Sequence, residues 1–386
     1  MTHTAKRAML ARGGIGIAAL SMLVLAGCGT ETQTAGFADS EEPAQTTEGP
    51  TQASEDAAPA LTTDPGFVYE DISKDVTVTG TIRPEQGEII TPSGTLTVNE
   101  VQEVTAVAAE EVGLDPAPGT DGEAAEYGAA QGEAFRIVDV TYTPHSQAPG
   151  DDVATSDLSL VAGGAQQHLS ALEDQQDHRI LVSAPDDGST RLVVSSEGHD
   201  QYVDVLTGER VDDEVAAAYY LPTARQELHH TFAIDDDAFP TKTHSSPAED
   251  VTIDYSFQIV TATLTAWTAD DGWASPGQAW LEVDWNYEVT AEHPVIPGSI
   301  EKLDAALAID VDGEVTEETI HVEDETRDAK GDQTASLAVP VDTTEVGLSV
   351  SGDIEVGMLY GSGLEMAGEK AAEFSGDELT VSFAAR

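Results

Sequence analysis

"GQAWLEVDWNY", residues 277–287, has the pattern of a central β-strand. Ala279, Leu281, Val283, Trp285 and Tyr287 alternate with Trp280, Glu282, Asp284 and Asn286, and Val289 continues the apolar series beyond Glu288. A period of two sends successive side chains to opposite faces of an extended strand, so one face is apolar and the other mostly polar. The stretch has an earlier counterpart. "GEAFRIVDVTY", residues 132–142, aligns to it without gaps, and Gly132/Gly277, Ala134/Ala279, Val138/Val283, Asp139/Asp284 and Tyr142/Tyr287 are identical. Val138, Val140 and Tyr142 occupy the matching apolar face.

Three more pairs follow in the same order: "LSLVAGG" (158–164) with "LAIDVDG" (307–313), "ILVSAPDDGSTRLVVS" (180–195) with "SLAVPVDTTEVGLSVS" (336–351), and "ELHHTFA" (227–233) with "ELTVSFA" (378–384). Ordered anchors at a nearly constant offset mark two copies of one domain. Gly163-Gly164 and Asp312-Gly313 have the chemistry of two-residue hairpin turns, which require positive φ. Pro185 and Pro340 each end a strand before an Asp-containing turn. "DDEVAAAYYL" (212–221) is a short helical pattern, and βαβ alternation is missing. The expectation is an all-β chain with two tandem immunoglobulin-like β-sandwich domains, residues 67–234 and 250–386, joined by an acidic linker at 235–249. With a single cysteine, Cys28, no disulfide spans either sandwich.

The segment "PGQAWLEVDWNYEV" (276–289), the Asp-Gly hairpin after it and the Pro-ended strand at 336–340 resemble a telokin-like, immunoglobulin-type sandwich family of secreted and lipid-anchored actinobacterial proteins, represented by an immunoprotective mycobacterial antigen. The resemblance extends over about a third of each copy. It implies an extracellular β-sandwich and brings no catalytic residues with it.

The N-terminus supplies an address. Lys6, Arg7 and Arg12 precede an apolar run, "GGIGIAALSMLVLA" (13–26), in the layout of a secretory signal peptide. Leu25-Ala26-Gly27-Cys28 resembles the lipobox of bacterial lipoproteins, which predicts cleavage after residue 27 and lipidation at Cys28. Two or more acyl chains anchor a protein stably where one holds it marginally. The expected location is the extracellular face of the cytoplasmic membrane. Residues 29–66 contain no Lys or Arg and one aromatic, Phe37. Such a segment buries too little apolar surface to offset its ordering entropy, and reads as a disordered tether.

The chain carries 16 basic and 72 acidic residues, a formal net charge of −56. That field disfavours nucleic acid and anionic surfaces and tolerates cations. The acids are spread along the sequence, as expected of a solvated surface. Three adjacent carboxylates, Asp235, Asp236 and Asp237, form the candidate calcium site, with an exposed acidic linker as the plainer reading. Asp310-Val311-Asp312-Gly313-Glu314 lacks the Gly and Glu that an EF-hand needs at its sixth and twelfth positions, which hold Val315 and His321. His229 and His230 are adjacent and point apart on a strand; His230 reads as a partly buried, hydrogen-bonded histidine.

Ser299-Ile300-Glu301-Lys302 matches the S-x-x-K pattern of penicillin-recognising enzymes, but the companion motifs are missing. All four tryptophans, Trp267, Trp273, Trp280 and Trp285, lie within the second copy. Trp285 falls on the core face and Trp280 on the opposite one, at the position of Phe135. Trp273 sits in the turn-rich "TADDGWASPG" (268–277). Trp273 and Trp280, with Asp270 and Asp271 as polar partners, are the candidate ligand surface, suited to a sugar face, a cation or a protein. The alternative is that these rings pack at the interface between the copies. Together these features point to a non-enzymatic, lipid-anchored binding module of the cell envelope with a protein or glycan partner. The competing reading is an accessory solute-binding lipoprotein of a membrane transport system.

Overall fold

The computed structural model describes residues 61–115, 125–145, 155–170, 177–296, 298–325, 327–358 and 363–384. Chain contacts divide between Asp56 and Ala57, and every described residue lies in the second unit, Ala57–Arg386. Residues 1–60, which include the expected signal segment, Cys28 and most of the expected tether, fall outside the described residues. Among the described residues no helix is long and apolar enough to cross a membrane.

The architecture is all-β, and its principal strands come in two sets of eight. The first set is β1 (Val78–Ile82), β2 (Gly94–Val104), β3 (Glu133–Pro144), β4 (Ser156–Ala162), β5 (Ala165–Leu169), β6 (Asp177–Pro185), β7 (Arg191–Ser196) and β8 (His199–Asp204). The second is β9 (Arg225–Thr231), β10 (Val251–Thr265), β11 (Gln278–Glu292), β12 (Gly298–Val311), β13 (Glu314–Glu325), β14 (Asp328–Pro340), β15 (Glu345–Met358) and β16 (Ala371–Ser382). In the first set one sheet runs β1-β2-β3-β6 and the other β5-β4-β7-β8. In the second the orders are β9-β10-β11-β14 and β13-β12-β15-β16. Adding eight to each label converts one set into the other, so the duplication extends to topology. All these pairings are antiparallel.

The alternation in "GQAWLEVDWNY" becomes burial. Ala279, Leu281, Val283, Trp285, Tyr287 and Val289 are buried, while Trp280, Glu282, Asp284 and Asn286 are half-buried on the other face. In the second copy the inward residues of both sheets close one core, in which Phe257 lies between Trp285, Tyr287 and Phe374 at ring-centroid distances of 6.3, 6.2 and 5.5 Å. The first copy has its own inter-sheet core around Leu96, Val138, Ile180 and Leu192. The shared glycines Gly132 and Gly277, each at the entry to a central strand, have φ of 86° and 76°, which explains why the same residue stands there twice. The hairpin residues Gly163-Gly164 and Asp312-Gly313 all have positive φ, as a two-residue turn between β4 and β5, or β12 and β13, requires.

Three sequence boundaries move. Order begins before residue 67: Leu61–Thr62 pairs in parallel with Tyr127–Gly128. The stretch 235–249, expected as a linker, carries Asp237–Phe239 paired with Val251–Ile253 and Thr241–Thr243 paired with Leu364–Met366. "ELHHTFA", expected to close the first copy, instead supplies most of β9, the first strand of the second. The reason is physical. β9 and β16 lie in opposite sheets over the same core, and Phe232 and Phe383, which follow them, are both buried in it. Two segments with the same task have the same alternation. The helical pattern at 212–221 shortens to a 3-10 turn, Ala217–Tyr220.

Candidate binding surface

The two copies differ most on the outer face of the β1-β2-β3-β6 sheet and its counterpart. In the first copy that face is roofed. Phe135 and Ile137 of β3 and Leu181 of β6 are fully buried beneath Ile72, Val76, Val107 and Val112, with Phe67 and Tyr69 packed against the cluster. In the second copy the positions of Phe135 and Ile137 are Trp280 and Glu282, both half-buried at the surface. What lies over them is a short hairpin, Trp267–Thr268 paired with Gly272–Trp273, whose turn holds Asp270 and Asp271.

This hairpin separates the predicted site residues. The Trp280 indole donates to the Gly272 carbonyl at 3.0 Å, which pins the ring under the hairpin on the open face. Asp271 caps its own turn, accepting from Thr268 and, at 3.5 Å, from the Ser336 hydroxyl of β14. Glu282 stands beside them. Its carboxyl is pushed above the usual carboxylate range, first by burial and then by the negative charges of Asp284 and Asp271. Asp270 is exposed at the tip. Trp273 points the other way. Its indole donates to the Ser196 carbonyl of β7 at 3.0 Å and packs against His199 (4.8 Å between ring centroids) and Tyr219 (5.9 Å, edge-on). His199 in turn holds Asp213 at 2.7 Å, and Asp213 accepts from the backbone N–H groups of Val215 and Ala216. Trp273 is therefore a contact between the two copies, the alternative foreseen for it, while Trp280 and Asp271 share the outer face.

The three candidate calcium ligands are not brought together. Asp235 and Asp236 are exposed, and Asp237 lies in a short strand and accepts a hydrogen bond from Tyr255 at 2.8 Å. Neighbouring side chains on extended backbone diverge. Among the described residues no group of three His, Cys, Asp or Glu side chains is arranged to hold a metal ion. Ser299 and Lys302 lie on strand β12, where Lys302 is ion-paired with Asp304. His229 occupies a bulge of β9 with φ of 47°, and His230 is half-buried, its ring edge-on to Phe232 at 5.3 Å.

Glu282 is not among the site residues that the sequence singles out. The signal was present, since it alternates with Trp280 on the polar face, but nothing in the sequence shows that the matching face of the first copy is covered. Away from this face, a concavity of about 530 Å³ lies between the Pro84–Glu88 loop and the connector around Arg210 and Tyr220. Its polar groups are occupied: the Arg210 guanidinium lies 3.3 Å from the Tyr220 ring centroid and donates to the Glu88 carbonyl, and Glu209 accepts from the backbone N–H groups of Glu85 and Gln86.

Comparison with models of known protein families gives no match to this chain, and comparison with curated protein sequences gives none either.

Proposed function

We propose that the protein is a non-enzymatic, lipid-anchored module of the bacterial envelope, and that its second copy binds an envelope partner through the outer face of the β9-β10-β11-β14 sheet. One observation carries this reading. The position that holds fully buried Phe135 under a roof in the first copy holds Trp280, half-buried and unroofed except by a short hairpin, in the second. A large ring at a water-facing position next to the Glu282 and Asp271 carboxylates offers an apolar platform with polar flanks, the composition of a recognition surface. The lipobox resemblance at Cys28 supports placement outside the membrane, and the acidity of the chain favours neutral or cationic partners over nucleic acid.

Binding of the purified protein to isolated cell-wall glycan and to purified envelope proteins tests the reading. Trp280→Ala is expected to weaken binding about tenfold or more, as truncation of an aromatic anchor does, measured well below the melting temperature of the variant, which loses the bond to the Gly272 carbonyl as well. Unchanged binding by Trp280→Ala would remove the outer face from the site.

A further inference from the structure

The unroofed face has an unpaired edge beside it. β14 is the last strand of its sheet, and among the described residues no strand pairs with its outer side. Proteins protect such edges with charges, prolines, bulges or short length. The other long edges of the second copy follow this practice. β13 carries Glu314, Glu317, Glu318, Glu323, Asp324 and Glu325, β9 is broken by the bulge at His229, and β16 carries Glu373, Asp377 and Glu378 with a register shift between Ser375 and Glu378. β14 is guarded over its first half by Asp328, Lys330 and Asp332. Its second half, Thr334 to Val339, reads "TASLAV": no charge, no proline, and an uninterrupted register against β11 from Thr290↔Asp328 to Gln278↔Pro340.

The first copy shows what fits there. The matching strand is β6, since Ser183 faces Phe135 as Ala338 faces Trp280, and Leu181 faces Ile137 as Ser336 faces Glu282. The outer edge of β6 is occupied by an extended segment of the chain itself. Tyr69 pairs with Leu181 and Val68 with Val182, the Ser183 N–H donates to the Phe67 carbonyl at 2.8 Å, and the Ile72 N–H donates to the Arg179 carbonyl at 3.1 Å. Equal strand direction and equal side-chain faces give equal backbone orientation, so the Ala338 and Ser336 N–H groups point outward to the open side.

We infer that the Thr334–Val339 edge of β14 is a strand-addition site for an extended, basic segment of a partner protein. This deepens the reading of the outer face and rests on it. The pattern of the partner follows from its neighbours. Side chains on its inner side would continue the row of Ala335, Leu337 and Val339 and are apolar. Those on its outer side stand next to Thr334, Ser336 and Ala338, within reach of the Glu282 and Asp271 carboxylates, and are cationic. Backbone pairing supplies affinity and the alternate side chains supply specificity. A second copy of this chain, at net charge −56, and the acidic stretch 29–66 are both disfavoured by charge.

A short capped peptide of alternating valine and lysine is the probe, added to the full folded chain at physiological salt. It is expected to protect the Ser336 and Ala338 amides from hydrogen exchange. Ala338→Pro removes an outward donor without touching the ladder to β11, and is expected to weaken the peptide about tenfold, the worth of one net hydrogen bond. N-methylation of the peptide at alternate residues, which leaves the protein untouched, should have the same effect. If neither change weakens the peptide, it binds only the net negative charge and the strand-addition site is overturned. The outer-face reading stands or falls separately, because Trp280→Ala alters the platform and leaves the edge intact.

Discussion

At the scale of single residues, the shared Asp139 and Asp284 show why a repeat keeps some positions and releases others. Both face a bulge in the neighbouring strand, between Val98 and Glu100 in β2 and between Ile259 and Thr261 in β10. A bulge leaves polar groups without ladder partners, and a short carboxylate is well placed to collect donors there. Asp139 accepts from Asn99 at 3.1 Å with Arg179 3.8 Å away, and Asp284 accepts from Thr261 and Thr334, each at 2.8 Å. The acceptor is kept while its donors differ. Glu282 is the opposite case, a carboxylate at a position its counterpart fills with Ile137. Because its folded-state acidity is weakened by burial and by Asp284 and Asp271, its ionisation opposes folding. The protonated form is free of that charge penalty, so this contribution to stability is fully present below the ordinary glutamate range and is lost as pH rises through the raised value. Glu282→Gln is expected to stabilise the protein at neutral pH by on the order of 0.5 kcal/mol after solvent screening. The gain should vanish in acid, which melting curves across pH will measure. A gain that persists in acid would assign the effect to packing instead of charge.

At the scale of elements, the hairpin of Trp267 to Trp273 makes the two copies unlike. It fastens in two directions, through Trp280 to the outer face and through Trp273 to β7 of the other copy. Trp273→Ala removes an indole hydrogen bond and the ring packing on His199 and Tyr219. A half-buried ring loses less than a fully buried one, so the expected destabilisation is about 2 kcal/mol, read as a lower melting temperature. Retained binding in a Trp280-dependent assay would place Trp273 in the junction alone. A melting temperature unchanged by the substitution would mean that the junction contributes little. The sequence puts both tryptophans in one candidate surface, Trp273 for its turn-rich, Asp-flanked loop and Trp280 for its place on the face opposite the core. The strand pairing of Trp267–Thr268 with Gly272–Trp273 turns the two rings apart, and only the fold records that.

At the scale of the molecule, the copies meet through the connector after β8. The Glu214 carbonyl accepts from the Gly277 N–H at 3.1 Å, the Tyr220 hydroxyl accepts from the Ile90 N–H at 3.0 Å, and Ala218 is buried in the core of the second copy. The second copy therefore begins well before residue 250. A fragment starting at residue 250 lacks β9 and the buried Phe232 and Phe239, a loss expected to exceed about 5 kcal/mol. One starting at 222 retains both. Circular dichroism and thermal melting should find the 222–386 fragment folded and the 250–386 fragment unfolded or aggregated. Equal melting temperatures for the two would contradict the assignment of β9 to the second core.

The all-β class, the alternation of the central strands, the hairpin glycines and the internal repeat are all legible in the order of the residues. These depend on local properties: a period of two, positive φ at glycine, and like residues at a constant offset. Tertiary structure alone decided where the second copy starts, because β9 and β16 carry the same pattern and only pairing with β10 or β15 tells them apart. It also decided which outer face is covered. Phe135 and Trp280 are both large aromatic residues at one register position, and the roof that buries Phe135 comes from residues far away in the chain. Burial is a property of neighbours, and those neighbours are assembled by the fold.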